Sequence, residues 1–364
     1  MIYLSNKDVS QLLTAKNCIQ ALEDAFHVLA DGRAISRPRT DVLTPCDRPD
    51  SYHRWATMDG SIEPWGFAVS RMKSDIVTWT KEGTEEVHCV QPGTFSGFIM
   101  VFSSRNGEPL AIINDGALHH LRVAAGAALG VKYLAREDSS VVGVLGSGGM
   151  ARAYLECFQE VRPLSKVKVY SPTRTNREAF AEQMSRALGI PVEPYDRPEP
   201  VVRGSDIVTT CTDATRPVVT DPSWIEKGMH LANLSATEFA WDVVKRCDRI
   251  VQVGTETLGA GGNQQAERKH YGWATWMIGR PDEIARIPRH PVSNVDFLKY
   301  PTLIEILKDR SKQRTSSEQV TFFHNLGLLG FQFAAVAART YLMAKDKGLG
   351  LPMPTEPFLQ NIRD

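Results

Sequence analysis

The most legible chemistry in the chain lies at Gly146 to Ala151, "GSGGMA". Gly146, Gly148 and Ala151 stand in the G-x-G-x-x-A spacing of a dinucleotide-binding turn. The first glycine permits a tight turn, the second lets backbone approach a diphosphate, and the alanine allows close helix–strand packing. A diphosphate there rests on the N–H groups and positive dipole end of the following helix. Ser147, Gly149 and Met150 complete the loop and count with them as cofactor contacts. The next strand should end on the residue that reads the adenosine ribose. NAD sites often place Asp or Glu there, but this chain reads "VYSPTRTNR", with no carboxylate. Ser171, Thr173, Arg174 and Arg177 supply hydroxyls and cations suited to a 2′-phosphate. NADP(H) is therefore expected in preference to NAD(H).

Such a loop needs a strand before it and a helix after it. "SVVGVLG" and "MARAYLECFQEV" fit those places. Beyond them, "KVKVYS", "SDIVTTCT", "GMHLANLS" and "DRIVQVG" read as strands, and "NREAFAEQMSRALG" as a helix. That alternation predicts a parallel α/β sheet. Upstream the grammar differs. Ser5 to Asp8 has capping-box spacing, and one helical apolar pattern runs from Leu12 through Leu29. From about 51 to 115 the chain alternates strands and loops, with "GFAVSRMKSDI", "FSGFIMVFS" and "PLAIIND" as strands and "NGE" at 106–108 as a turn. A mostly antiparallel sheet follows from that reading. "GALHHLRVAAGAALGVKYLAR" is a helix. Residues 255–317 are irregular apart from a helical piece near 301–310, and a long helix and Pro-rich tail close the chain.

Composition narrows the function classes. The 364 residues carry 42 basic and 42 acidic side chains, giving a formal net charge of zero. No basic patch stands out, so nucleic-acid and membrane-surface roles lack support. The six cysteines form no C-x-x-C pair, which argues against a zinc site or disulfide framework. Reduced thiols suit a cytoplasmic protein. "MIYLSNKDVSQLL" lacks the features of a secretory signal. No apolar run reaches the roughly 20 residues needed to span a bilayer.

The order of motifs resembles the ornithine cyclodeaminase/μ-crystallin family over nearly the whole chain. The matching pieces are "RPRT", "SRMKSD", "GEPLAIINDGALHHLRVAAGAALGVKYLA", "GSGGMA", "GSDIVTTCT" and "EQVTFFHNLGLLGFQFAAVA". The resemblance implies a Rossmann-type parallel-sheet nucleotide domain, 137–317, inserted in an α+β substrate-binding and dimerisation domain. The latter comprises 1–136 and a returning C-terminal helix and tail, 318–364. It implies a homodimer and a basic trio for the substrate carboxylate: Arg39, a strand cation and Arg122. The strand cation is Lys73 or Arg71, which share a face. Arg grips a carboxylate bidentately and a second cation fixes its register. The resemblance also carries Thr212 and Asn325 over as cofactor contacts, with Asn325 in place of a serine near the nicotinamide and His324 in place of a lysine. Two further departures stand out. The family's R-T-A-A reads "RVAA", so Val123 replaces a threonine hydroxyl. The cyclodeaminase E-L-D aligns on Glu238, Phe239 and Ala240, so its aspartate is absent, with Asp242 and Glu238 as nearby substitutes.

Without that aspartate, the resemblance implies an NAD(P)H-dependent oxidoreductase that interconverts a small imino (or keto plus amine) acid and an amino acid. Lys73, Arg122 and Asp242 are its candidate catalytic residues. A cyclodeaminase with tightly bound NAD, and a binding protein with little turnover, are the alternatives. His88, His119, His120 and His324 are proton-donor candidates by type, and Trp55, Trp65 and Trp79 suit a pocket wall or the core. Loops at 46–66 and 80–96 and the segment 255–317 are expected to shape the substrate side-chain pocket.

Overall fold

A computed structural model describes residues 1–79, 85–214, 216–254, 274–280, 282 and 297–362. Two sheets organise them. In the first, Ala274–Met277, Thr40–Pro45, Ser51–Ile62, Phe67–Trp79, Ser96–Ser103, Pro109–Asn114, Ile2–Leu4 and Leu351–Pro352 lie side by side. Its central pairs are antiparallel, and burial alternates along Ser51–Ile62 and Pro109–Asn114, as expected with one face on a core. The 46–66 region is therefore mainly a 12-residue strand rather than a loop. Its polar members Asp59 and Gly60 disguised the alternation.

The second sheet runs Val192–Tyr195, Lys166–Tyr170, Val141–Leu145, Ile207–Thr210, His230–Asn233, Thr321–His324, Arg249–Gln252. Every pairing in it is parallel. Strand order reverses beside Val141–Leu145, the switch point where ligands bind in open α/β sheets. Thr321–His324 is a buried strand of this sheet, so the parallel sheet extends past residue 317. Ala274–Met277, within the expected nucleotide segment, pairs instead with Thr40–Pro45. Among 255–317, residues 255–273, 281 and 283–296 lie outside the described part, as do 80–84 of the 80–96 segment; Leu303–Lys308 is the expected helical piece.

The helix Gly116–Leu134 joins the two sheets. Its Ala124, Ala127, Ala128, Leu129 and Val131 are buried in one apolar core that also contains Ile99 and Val101 of the first sheet and Val142 and Val144 of the second. The expected N-terminal helix is two, Asn6–Leu12 and Ala15–Ala30. Thr14 interrupts it by capping the second through a reciprocal pair with Asn17. The C-terminal helix Leu329–Lys347 crosses Ser51–Ile62 backbone to backbone. A Cβ on Gly330 would stand 1.9 Å from the Asp59 carbonyl oxygen. That approach brings Gln332 and Phe333 to the face of the first sheet.

Candidate active site

Five cations gather where the first sheet meets the Gly116–Leu134 helix. Arg39 precedes the strand Thr40–Pro45; Arg54 lies on Ser51–Ile62; Arg71 and Lys73 lie on Phe67–Trp79; Arg122 is on the helix. Strand spacing puts residues 71, 73 and 75 on one face, and register sets Arg54 opposite Asp75. Asp75 Oδ2 accepts from Arg54 Nη2 at 2.9 Å and pairs with Lys73 Nζ at 2.7 Å. Arg39 Nε donates to Asp41 Oδ1 at 2.9 Å. Arg71 Nε donates to Asp115 Oδ2 at 2.7 Å, and its Nη2 reaches the same oxygen.

Arg122 differs from the others because no carboxylate pairs with it among the described residues. Its Nη1 donates to Gln332 Oε1 and its Nη2 meets His119 Nδ1, each at 3.3 Å. Its Nε has no partner among the described residues. The Phe333 ring lies beneath it at 4.5 Å and beneath Arg71 at 5.1 Å, a double cation–π floor. A buried guanidinium with an unused donor suits an incoming carboxylate. Burial, then the charge of Arg71, pulls Arg122 down to about 9. Burial, then Arg54, pulls Lys73 down to about 8 despite Asp75. His119 is held well below its ordinary value, first by burial and then by Arg122, so its imidazole is neutral at pH 7. The structure brings both strand cations to the cluster: Arg71 is locked on Asp115, while Lys73 is the more labile proton carrier.

The glycine loop follows the same physical logic. Gly146 has φ 118°, and a Cβ there would stand 2.1 Å from the Cys211 carbonyl oxygen, so both conformation and space require glycine. A Cβ on Gly148 would meet no atom within 4 Å, so it would project into open space at the helix entrance. Gly149–Gln159 is the helix, and Ala151 is fully buried. A dinucleotide diphosphate fits this cradle: backbone donors face it and no side chain from Gly148 fills it. Met150 packs against the core. Ser147 Oγ donates to Ser171 Oγ at 2.9 Å, tying the loop to the end of the second strand. Thr173 caps the helix Arg174–Leu188 by position. Arg174 is exposed on Glu178, and Arg177 Nη1 donates to the Ser171 carbonyl at 3.1 Å.

The acidic candidates separate clearly. Glu238 is fully buried. Its Oε1 accepts from the Thr212 N–H and hydroxyl, both at 2.8 Å. Its Oε2 accepts from the Thr210 hydroxyl at 2.8 Å and from the Leu234 and Ser235 N–H groups at 2.9 and 2.6 Å. It staples two strand ends together and has no capacity left for a substrate amine. Asp242 is exposed and pairs with Lys245 Nζ at 2.5 Å. Its position in the first turn of Trp241–Val244 turns it outward. Asn325 is buried, donating from Nδ2 to the Val123 carbonyl and the Tyr154 hydroxyl, both at 2.9 Å. Those bonds tie it to the helices beneath the sheet.

The remaining candidates divide by surroundings. His88 sits on Arg48 at 2.6 Å, and His324 stacks on Phe297 at 3.7 Å while bonding Asn233; both have structural partners. Trp65 packs on the core and Trp55 is half-exposed, while the Trp79 side chain lies outside the described residues. Sequence reasoning missed Asp41, Arg54, Asp75 and Asp115. The signal for one of them was present: Lys73/Asp75 is an i, i+2 pair on a strand, which points to one face. Among the described residues no cluster of His, Cys, Asp and Glu suits a metal ion, and no helix is long and apolar enough to cross a membrane.

A glycine loop at the switch point of a parallel sheet, joined by one helix to a cation-lined antiparallel sheet, defines a two-sheet Rossmann-type α/β protein. Residues 1–345 match the Ornithine cyclodeaminase/mu-crystallin family, and the chain belongs to it. A Delta(1)-pyrroline-2-carboxylate reductase of Bacillus cereus is 26% identical over 263 residues, covering 71% of this chain and 74% of that one. An alanine dehydrogenase of Archaeoglobus fulgidus is 24% identical over 355 residues, covering 96% and 97%. The Thermococcus litoralis Delta(1)-pyrroline-2-carboxylate reductase, solved in complex with NADH and L-proline, aligns with a TM-score of 0.75. The two chains are 25% identical, covered over 97% of this one and 100% of that one.

Proposed function

We propose that the protein is an NAD(P)H-dependent oxidoreductase that interconverts a small imino (or keto plus amine) acid and an amino acid. The observation that carries this reading is the single helix that holds Arg122 in the cation cluster and His120 against Gly149 of the nucleotide loop. A carboxylate gripped by Arg122 is thereby held next to the cofactor cradle. The bound nicotinamide supplies or accepts the hydride. Arg122, with Arg39 and Arg71, binds and orients the substrate carboxylate. Phe333 covers the floor of the cluster and excludes water from it. Lys73 Nζ, depressed to about 8, holds the proton most easily exchanged near neutrality and suits general acid–base work at the imine nitrogen.

Cyclodeamination is less well supported, because Ala240 stands at the aspartate position, Glu238 is saturated and Asp242 faces solvent. NADP(H) over NAD(H) is part of the proposal, supported by the absent carboxylate after Tyr170 and by Arg177 on the Ser171 carbonyl. So are a homodimer and a cytoplasmic setting, which the family resemblance and the six free cysteines support. The test is a spectrophotometric screen of imino and amino acids with NADPH and NADH, with ammonia measured in parallel. Net oxidation of NADPH by an imino acid is expected. Ammonia release from a diamino acid without net cofactor change would refute the reductase reading.

A further inference from the structure

We infer that His120 is a diphosphate-binding residue, donating a hydrogen bond to the nicotinamide dinucleotide seated on the Gly146–Ala151 loop. The inference rests on the dinucleotide reading of that loop. Residue 120 is exposed, yet its imidazole is pressed against the loop. A Cβ on Gly149 would stand 2.9 Å from His120 Cε1 and 3.4 Å from both ring nitrogens. The ring therefore occupies the space beside the first helical residue, where N–H groups lack intrahelical acceptors. Gly149 is needed at this position because the imidazole takes the volume of its side chain. Three residues on, Val123 is buried in the apolar core.

The charges facing the ring are few. Asp115 caps its own helix, Arg152 comes from the helix after the glycine loop, and His119 lies 6.1 Å away, centroid to centroid. Burial, opposed by Asp115 and reinforced by Arg152, holds His120 below its ordinary value. An adjacent diphosphate favours the imidazolium, so the His120 pKa is higher in the complex than in the free protein. Binding then takes up protons between the two values, and affinity falls as pH rises through that interval. Below both values, and above both, the affinity is flat.

The experiment is calorimetric titration of the full chain with NADH at pH 6 and pH 8.5, in two buffers of different ionisation enthalpy. NADH is chosen because a 2′-phosphate itself titrates near pH 6. Net proton uptake at pH 6 is expected, with affinity a few-fold tighter at pH 6 than at pH 8.5, because the full tenfold of a one-unit pKa shift is reached only below both values. His120→Ala should remove the uptake and weaken binding at both pH values, several-fold more at pH 6, where the charged ring is lost, than at pH 8.5, where only a neutral donor is lost. His120→Gln, a neutral donor, should restore part of the affinity without proton uptake. If wild-type protein binds NADH without proton uptake, and His120→Ala binds equally well at both pH values, the inference fails while the dinucleotide reading stands. If folded wild-type protein binds no NADH or NADPH, both fail.

Discussion

Replacing Glu238 should destabilise the parallel sheet more than almost any other single change at the nucleotide site. Its carboxylate accepts from three backbone N–H groups and two hydroxyls with no exposure to water. In Glu238→Ala the hydroxyls of Thr210 and Thr212 can rotate toward other acceptors. The N–H groups of Thr212, Leu234 and Ser235 cannot. A stranded buried donor costs about 1–3 kcal/mol, so the three together, partly relieved by water entering the gap, cost about 4 kcal/mol. Glu238→Gln keeps the shape. Its carbonyl must face Leu234 and Ser235, which aims the new NH2 at the Thr212 N–H. One donor–donor clash and the lost charge cost about 2 kcal/mol. The assay is thermal unfolding followed by near-UV and far-UV signals together. At about 2–4 °C per kcal/mol for a domain of this size, Glu238→Ala should lower Tm by about 8–16 °C and Glu238→Gln by about half as much. If both variants melt within 2 °C of wild type, the carboxylate is not the staple described.

Arg122→Ala should lower kcat/KM for carboxylate substrates by about 10–100-fold, the worth of a charge-assisted pair, while leaving NADH affinity within twofold by calorimetry. For imine reduction, kcat/KM should fall as pH climbs through about 8, because Lys73 loses there the proton it supplies at the imine nitrogen. In Lys73→Arg, whose guanidinium stays charged, that inflection should vanish. Gly330→Ala forces a Cβ to within 1.9 Å of the Asp59 carbonyl oxygen; it should lower stability by about 1–3 kcal/mol or more in urea unfolding.

The parallel sheet was legible because its strands are short apolar runs separated by helical periods, and a glycine loop marks where the first one ends. "TFFH" was harder to place, since a short run with two phenylalanines shortly before a long helix reads equally well as its approach. The strand Ser51–Ile62 was obscured by Asp59 and Gly60, which look like a turn and instead mark the crossing of the C-terminal helix. The trio of Arg39, a strand cation at Lys73 or Arg71, and Arg122 came from motif resemblance, whereas its counterions are products of register. Nothing local announces that Arg54 lies opposite Asp75, or that Asp115 closes on Arg71 across 44 residues. Asp242, two residues beyond the position of the missing aspartate, lies in the first turn of the helix Trp241–Val244 and is exposed, a placement no local pattern announced.

The helix Gly116–Leu134 has a consequence for how such a site can change over time. At about 100° of rotation per residue, inserting or deleting one residue between His120 and Arg122 would swing the Arg122 guanidinium a quarter turn relative to the glycine loop. Substitutions can retune either contact, but no change of length there can. New substrate preferences must then come from the strands and loops facing this rod, while the rod itself keeps a fixed count.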